Sequence, residues 1–300
     1  MKARTGQVSH SLTLLAHKAR MQRRETLLLL LIGLGLAAYL FWPSSRQTAD
    51  YAPLTGMSLI AHAGGGLAAG TYSNAQEALD QSAEHGFAYI EVDLHWTGDG
   101  DLVLIHDWQT THVDWFLPIQ RWPGWLDISR WARAPTAEAF TRRNMRRGLT
   151  PMSLPDLLAW MQDHPDIRIV TDLKERHLEG LETISEQAPS LLHRFIPQIY
   201  APSEYPEVRD LGYDDIILTA YRTDLTGGEL ARFAGSHDLL AVTVPAGRLS
   251  PAEIQQIRET GTPVWAHTVN SISAAEKLRQ AGISGLYTDY LYPEPAAGTP

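Results

Sequence analysis

Residues 89–107 read Tyr-Ile-Glu-Val-Asp-Leu-His-Trp-Thr-Gly-Asp-Gly-Asp-Leu-Val-Leu-Ile-His-Asp, and their alternation decides the architecture. A strand over Ala88–Leu94 puts Glu91 and Asp93 on one face, about 7 Å apart along the chain. Ile90, Val92 and Leu94 then face the other way, towards covering helices. Two carboxylates pointing into a barrel are costly to bury unless a cation or hydrogen bonds compensate. A hard divalent ion with oxygen ligands is the economical explanation. An exposed edge strand with its acids in water fits poorly with the continuous apolar character of the region. Beyond the tight Gly-Asp-Gly turn, a short apolar strand over Leu102–His106 ends in His106 and Asp107. That places a histidine close to the strand carrying Glu91 and Asp93.

Outward from this stretch, strand-like and helix-like segments alternate. Strands are predicted at Met57–Ala63, Ile167–Lys174, Arg194–Tyr200, Asp215–Tyr221, Leu239–Pro245, Val264–Thr268 and Gly285–Thr288. Helices are predicted at Asn74–His85, Leu154–Asp163, His177–Gln187, Ser203–Leu211, Gly227–Ala234, Pro251–Glu259 and Ser271–Gln280. Repeated βα units imply parallel strands joined by crossover helices. About eight of them match an α/β fold of the closed (β/α)8 TIM-barrel type, here over residues 56–292. A doubly wound open sheet is the alternative, weakened because no G-x-G-x-x-G follows the first strand. Trp108–Thr150 breaks the rhythm, carries five of the nine tryptophans and reads as an insertion (108–150) on the barrel rim. Its tryptophans are read as its own packing, and Arg142–Arg147 as a solvated helix face. A linker over residues 43–55 precedes the barrel, and a Pro/Ala/Gly-rich tail over residues 293–300 follows it.

In a barrel, active sites are built at the C-terminal ends of the strands. The first strand ends in Ile60-Ala-His-Ala-Gly-Gly-Gly66, where His62 enters a glycine run that lets backbone approach a ligand closely. On its own this is better read as a capped core histidine in a flexible turn. The segment Ile169-Val-Thr-Asp-Leu-Lys174 puts Asp172 and Lys174 on a shared face. Asp172 can complete a three-carboxylate metal site, and Lys174 can neutralise charge developing on phosphoryl oxygens. Two histidines flanking a metal-bound phosphate can serve as general base and general acid.

Composition narrows the field. The chain has no cysteine, so disulfides, thiolate metal sites and cysteine nucleophiles are excluded. Residues 1–24 hold six bases and no acid, which leaves 34 acids against 19 bases (−15) for the remainder. A domain that acidic repels a nucleic-acid backbone, so no nucleic-acid partner is expected. The one long apolar run, Thr26–Trp42, carries no charge. As a helix it spans about 25 Å, slightly short of a hydrocarbon core of roughly 30 Å. With bases crowding its N-terminal side it is expected to be an uncleaved transmembrane anchor at 26–42. The basic segment 1–25 then stays cytoplasmic, and the barrel lies across the membrane, in the periplasm if the source is Gram-negative.

Taken together, these segments resemble the glycerophosphodiester phosphodiesterases, within the phosphatidylinositol phospholipase C-like superfamily. Their pattern runs A-H-R-G, E-N-T, E-x-D, then T-x-D-G-x-L-V-x-x-H-D. Here Ala61-His62-Ala63-Gly64, Ser73-Asn74-Ala75, Glu91-Val92-Asp93 and Thr97–Asp107 occur in that order. Thr171–Lys174, Val264–Asn270 and Gly282–Asp289 resemble later segments, so the likeness covers Met57–Asp289. The resemblance implies a barrel binding one divalent cation, Ca2+ or Mg2+, through Glu91, Asp93 and Asp172. It implies His62 and His106 as the acid/base pair, with a glycerol hydroxyl attacking phosphorus to give a cyclic phosphate that water opens. Four positions depart from the pattern. Ala63 replaces an arginine that contacts phosphate, and Ser73 replaces the glutamate of E-N-T. Asp172 replaces a glutamate, and His267 replaces a tryptophan.

The expected function is hydrolysis of a glycerophosphodiester, a phospholipid or a phosphodiester-linked envelope polymer. The alternative from another class is a non-catalytic barrel that binds a lipid head group or an envelope partner. A glycosidase is disfavoured, because two acids two residues apart on one strand cannot flank a glycosidic bond.

Overall fold

The computed structural model describes Leu30, Leu34 and residues 51–116 and 133–294. The chain falls into two units, Met1–Arg46 with Pro118–Asp127, and Gln47–Leu117 with Ile128–Pro300. In the first, only Leu30 and Leu34 are described, both helical and exposed. The predicted anchor Thr26–Trp42 otherwise lies outside the described residues. Among the described residues no helix is long and apolar enough to cross a membrane.

The second unit is a closed barrel of eight parallel strands. They are β2 (Ser58–Ala61), β3 (Tyr89–Trp96), β5 (Arg168–Leu173), β6 (Phe195–Ile199), β7 (Ile217–Thr219), β8 (Ala241–Pro245), β9 (Val264–His267) and β10 (Gly285–Thr288). β10 pairs with β2, and β2 pairs with β3, which closes the ring. The crossover helices are α1 (Gln76–Glu84), α4 (Leu154–Asp163), α5 (His177–Gln187), α6 (Tyr205–Asp210), α7 (Gly227–Ala234), α8 (Pro251–Arg258) and α9 (Ile272–Gln280). Three begin on capping boxes, Ser153/Asp156, Thr226/Glu229 and Ser250/Glu253. In each, the hydroxyl accepts a first-turn N–H while the acid reaches back to the cap.

Period-two alternation divides the core into two layers. Ile60, Val170, Ile196, Ile217, Ala241, Trp265 and Tyr287 pack inside the barrel. Ile90, Val92, Leu94, Ile169 and Leu173 pack between the sheet and its helices, as the alternation predicts. Gly285 makes room for the interior tryptophan, since a Cβ there would meet Trp265 at 2.4 Å.

Several expectations change. Leu102–His106 is not a barrel strand: β4 (Leu102–Leu104) pairs antiparallel with β3, Leu104 opposite Leu94. The intervening turn is too short for a crossover, so it can only reverse the chain. The linker is partly ordered, because β1 (Ala52–Leu54) pairs in parallel with β11 (Leu291–Pro293). The glycine run after His62 serves internal packing: Cβ atoms would meet Ser82 Oγ at 2.3 Å from Gly65 and the Asp289 carbonyl at 2.7 Å from Gly66.

Within the insertion lie α2 (Thr110–Phe116) and α3 (Ala137–Thr141). Trp108 packs with Val103, Ile105 and Phe140, and Trp115 with Ala75 and Met145. Trp122, Trp125 and Trp131 lie outside the described residues. The arginine run is not a helix face but the turns that follow α3, with Arg143 on His112 and Arg147 on the Ala68 carbonyl.

Candidate active site

The six residues singled out in the sequence gather at the C-terminal mouth of the barrel. Register brings the acids together, because β3 and β5 pair with Asp93 directly opposite Asp172. Glu91, Asp93 and Asp172 each offer a carboxylate oxygen, and these oxygens lie within 4.8 Å of one another. All three residues are buried. Lys174, one position past β5, sets its ammonium 3.4 Å from Asp93 Oδ1 and 3.2 Å from Asp172 Oδ2.

Each carboxylate has a dedicated donor. The Ala63 N–H donates to Glu91 Oε2 at 2.6 Å, and the Asn74 side-chain amide to Asp93 Oδ2 at 2.9 Å. The Tyr200 hydroxyl donates to Asp172 Oδ1. Both Ala63 and Asn74 stand in the left-handed region, at φ 50° each. Such strained non-glycine positions persist where the surroundings over-determine them.

The two histidines come from different constructions. His62 follows β2, and its Nδ1 lies 2.9 Å from Asp289 Oδ1. The Asn270 amide donates in turn to Asp289 Oδ2 at 2.6 Å. His106 leaves the hairpin arm after β4, with its Nδ1 2.8 Å from Asp107 Oδ2, which also accepts from the Thr111 hydroxyl. In both rings Nδ1 is committed to a carboxylate, so Nε2 is the nitrogen left to act. Tyr72, itself at φ 59°, presents its ring edge-on to both, with centroids 4.6 Å from His62 and 5.2 Å from His106.

Electrostatics follow from the crowding of acids. Burial alone would depress His62, but the hydrogen bond with Asp289 and the charges of Glu91, Asp289 and Asp93 outweigh it and raise its pKa to about 9. Burial, reinforced by Asp93, pushes the Glu91 carboxyl well above the ordinary glutamate range. His106 is raised chiefly by its hydrogen bond with Asp107. Desolvation would lower Lys174, yet Asp172 and Asp93 hold its ammonium above its usual value. His267 is lowered to about 4 by burial and by His62. Its buried Nε2 has no partner among the described residues and lines a cavity of ≈ 40 Å³ with His62, Glu91 and Asp172. That is room for two or three waters on the order-of-magnitude scale of one probe sphere each.

Asp289, Asn270, Tyr72 and Tyr200 were missed as site residues. Position after a strand was the available signal for Asp289 and Tyr200, which follow β10 and β6 directly.

Residues 63–196 match the glycerophosphoryl diester phosphodiesterase family. The match is consistent with a divergent member of that family. Its members are phosphoric diester hydrolases, which assigns the protein to that enzyme class. The fold agrees. A Thermotoga maritima glycerophosphodiester phosphodiesterase is 20% identical over 78% of this chain and 95% of that one, with a TM-score of 0.58. A Silicibacter pomeroyi protein provisionally named a glycerophosphoryl diester phosphodiesterase is 15% identical over 82% of this chain and 94% of that one, with a TM-score of 0.63. An Oleispira antarctica phosphodiesterase, solved with the product sn-glycerol-3-phosphate, is 18% identical over 78% of this chain and 93% of that one, with a TM-score of 0.56. No curated protein matches.

The acidic triad of this phosphodiesterase domain suits a metal ion. Three carboxylates lie buried at one point, where burial first and the charge of Asp93 next disfavour an ionised Glu91, and hard oxygen donors suit Ca2+ or Mg2+. Protons and metal therefore compete at Glu91. Its folded pKa is raised, so Glu91 keeps its proton above the ordinary carboxylate value of about 4.3 and gives it up more easily as pH climbs towards the folded one. The thermal shift produced by a fixed concentration of Ca2+ or Mg2+ is expected to grow steadily from about pH 5 to about pH 8. A shift independent of pH would mean that Glu91 is not displaced from its proton by the ion.

Proposed function

We propose that the protein hydrolyses a phosphodiester, with His62 and His106 exchanging protons with the attacking and leaving oxygens. The observation that carries this reading is the shared mouth. Two histidines, each with Nδ1 on an aspartate, flank the Tyr72 ring at the barrel mouth, and the charge of Asp93 in the carboxylate cluster reaches both. Asp289 and Asp107 hold the imidazoles in the tautomer that leaves Nε2 free to take or give a proton. Lys174, kept charged by Asp93 and Asp172, attracts the anionic group and offsets charge on its oxygens. A cation held by Glu91, Asp93 and Asp172 would add positive charge to stabilise the phosphoryl oxygens. The product bound to the Oleispira antarctica phosphodiesterase supports a glycerophosphodiester as substrate. The uncharged run Thr26–Trp42 with its basic flank supports an anchored protein whose barrel faces away from the cytoplasm.

The test is hydrolysis of bis(p-nitrophenyl) phosphate and glycerophosphocholine by the full chain with Ca2+, Mg2+ or chelator. Turnover that needs metal is the expected result. A second reading, a barrel that binds a head group without turnover, draws on Lys174 already pairing two of the acids and Tyr72 standing against both histidines. Binding of glycerophosphocholine without hydrolysis under any of these conditions would select it.

A further inference from the structure

Of the three carboxylates, Asp172 is the one that accepts from a phenol hydroxyl. It sits opposite Asp93 in the register, and Lys174 two residues on draws Oδ2 towards itself at 3.2 Å. A short side chain in that position has two nearly equivalent oxygens and a free rotation. Its only other hydrogen-bond partner among the described residues is the Tyr200 hydroxyl, on Oδ1. A phenol O–H against a carboxylate can only donate, so Oδ1 is spent on Tyr200, and Oδ2, which faces the Lys174 ammonium, is the oxygen a cation would take.

Tyr200 is itself held from several sides. It follows β6 and is buried, with its ring against His177 at 5.0 Å and Tyr221 at 6.0 Å. The Arg222 guanidinium lies over the ring at 5.1 Å, and the Tyr200 N–H donates to Glu204 at 2.7 Å. The hydroxyl therefore reaches Asp172 from a fixed frame rather than from a mobile side chain. Asp93 is built the same way, with the Asn74 amide on Oδ2 and Lys174 beside Oδ1, and Glu91 takes the Ala63 N–H on Oε2.

We infer that Tyr200 is a positioning residue of the metal site, the donor that orients Asp172 towards the cation. The inference rests on the three-carboxylate metal site proposed above. Donors behind metal ligands are worth about 10–100-fold in affinity. Tyr200 does not touch the phosphate in this view; it acts through Asp172.

The test is titration of the full chain with Ca2+ and with Mg2+, read by calorimetry and thermal shift. Wild type is compared with Tyr200→Phe and with Tyr213→Phe, whose hydroxyl bonds the Leu181 carbonyl. Tyr200→Phe is expected to raise the metal Kd about 10–100-fold. Tyr213→Phe lowers thermal stability and leaves the metal Kd within about twofold, because its hydroxyl serves packing alone. In an Asp172→Asn background the Tyr200→Phe effect should vanish. An unchanged Kd in Tyr200→Phe beside a binding wild type overturns the inference alone. Absence of binding in wild type overturns the metal reading and the inference with it. Should Tyr200→Phe not fold by circular dichroism, ring-labelled wild type answers the question by NMR. Metal must then shift the Tyr200 resonances more than those of Tyr213, and equal shifts overturn the inference.

Discussion

Glu91→Gln is expected to abolish metal-dependent hydrolysis while leaving the metal-free protein more stable than wild type near neutral pH. Glu91 is 2% exposed, and both burial and Asp93 disfavour its charge. The sign follows from linkage. A carboxyl whose folded pKa exceeds its unfolded one contributes stability that is fully present below the unfolded value, about 4.3, and is lost as pH rises through the folded value. Glutamine has no charge to lose, keeps the size of the side chain, and its carbonyl can still accept from the Ala63 N–H. The gain should be on the order of 1–3 kcal/mol near pH 8 and close to nothing near pH 4. For a domain of this size that is roughly 2–10 °C in Tm. The same substitution removes one of three anionic ligands, so added Ca2+ or Mg2+ should no longer raise the Tm. Scanning calorimetry of the metal-free proteins at both pH values checks the first half, and turnover of bis(p-nitrophenyl) phosphate the second. A variant less stable than wild type at pH 8 would show that Glu91 is compensated within the protein and needs no cation.

That trade of stability for a site explains why this part of the molecule was legible in the sequence. Acids at alternate positions of an otherwise apolar strand contradict the usual economy of a core, and only a function resolves the contradiction. Glu91, Asp93 and Asp172 were therefore readable from pattern, and so were the eight parallel strands, since period-two runs separated by helical stretches leave few topologies. The hairpin arm was harder to read. Leu102–Leu104 has the composition of a barrel strand, and only the brevity of the turn at Thr97–Asp101 forces it back along β3. The ordered linker escaped because Ala52–Leu54 draws its partner from Leu291–Pro293, at the far end of the chain. Long-range pairing of two short strands leaves no local signature. Tyr72 and Tyr200 escaped for a related reason. An aromatic residue in a turn reads as ordinary packing until the structure shows two imidazoles or a carboxylate against it.

Removing either imidazole should cost more than any other single change outside the metal ligands. His62→Ala and His106→Ala are each expected to lower kcat/KM by about 10²–10⁴, the usual worth of a positioned acid or base. Neither should abolish the metal-induced thermal shift, because neither side chain belongs to the cluster of three carboxylates that could hold a metal. The aspartates behind the histidines allow a sharper test. Asp289 meets His62 at Nδ1 and is held from behind by Asn270, so its contribution to turnover passes through that ring. Asp289→Asn should lower kcat/KM markedly on its own. An asparagine amide directed at Nδ1 offers the wrong partner for the tautomer that leaves Nε2 free to act. In a His62→Ala background, however, Asp289→Asn should cost almost nothing further. Two residues that act as a unit are strongly non-additive, whereas independent sites would multiply. A double variant at the product of the two single losses would separate Asp289 from His62. The carboxylate would then act directly on the substrate, and His62 would have to find its orientation from the Tyr72 ring packed against it.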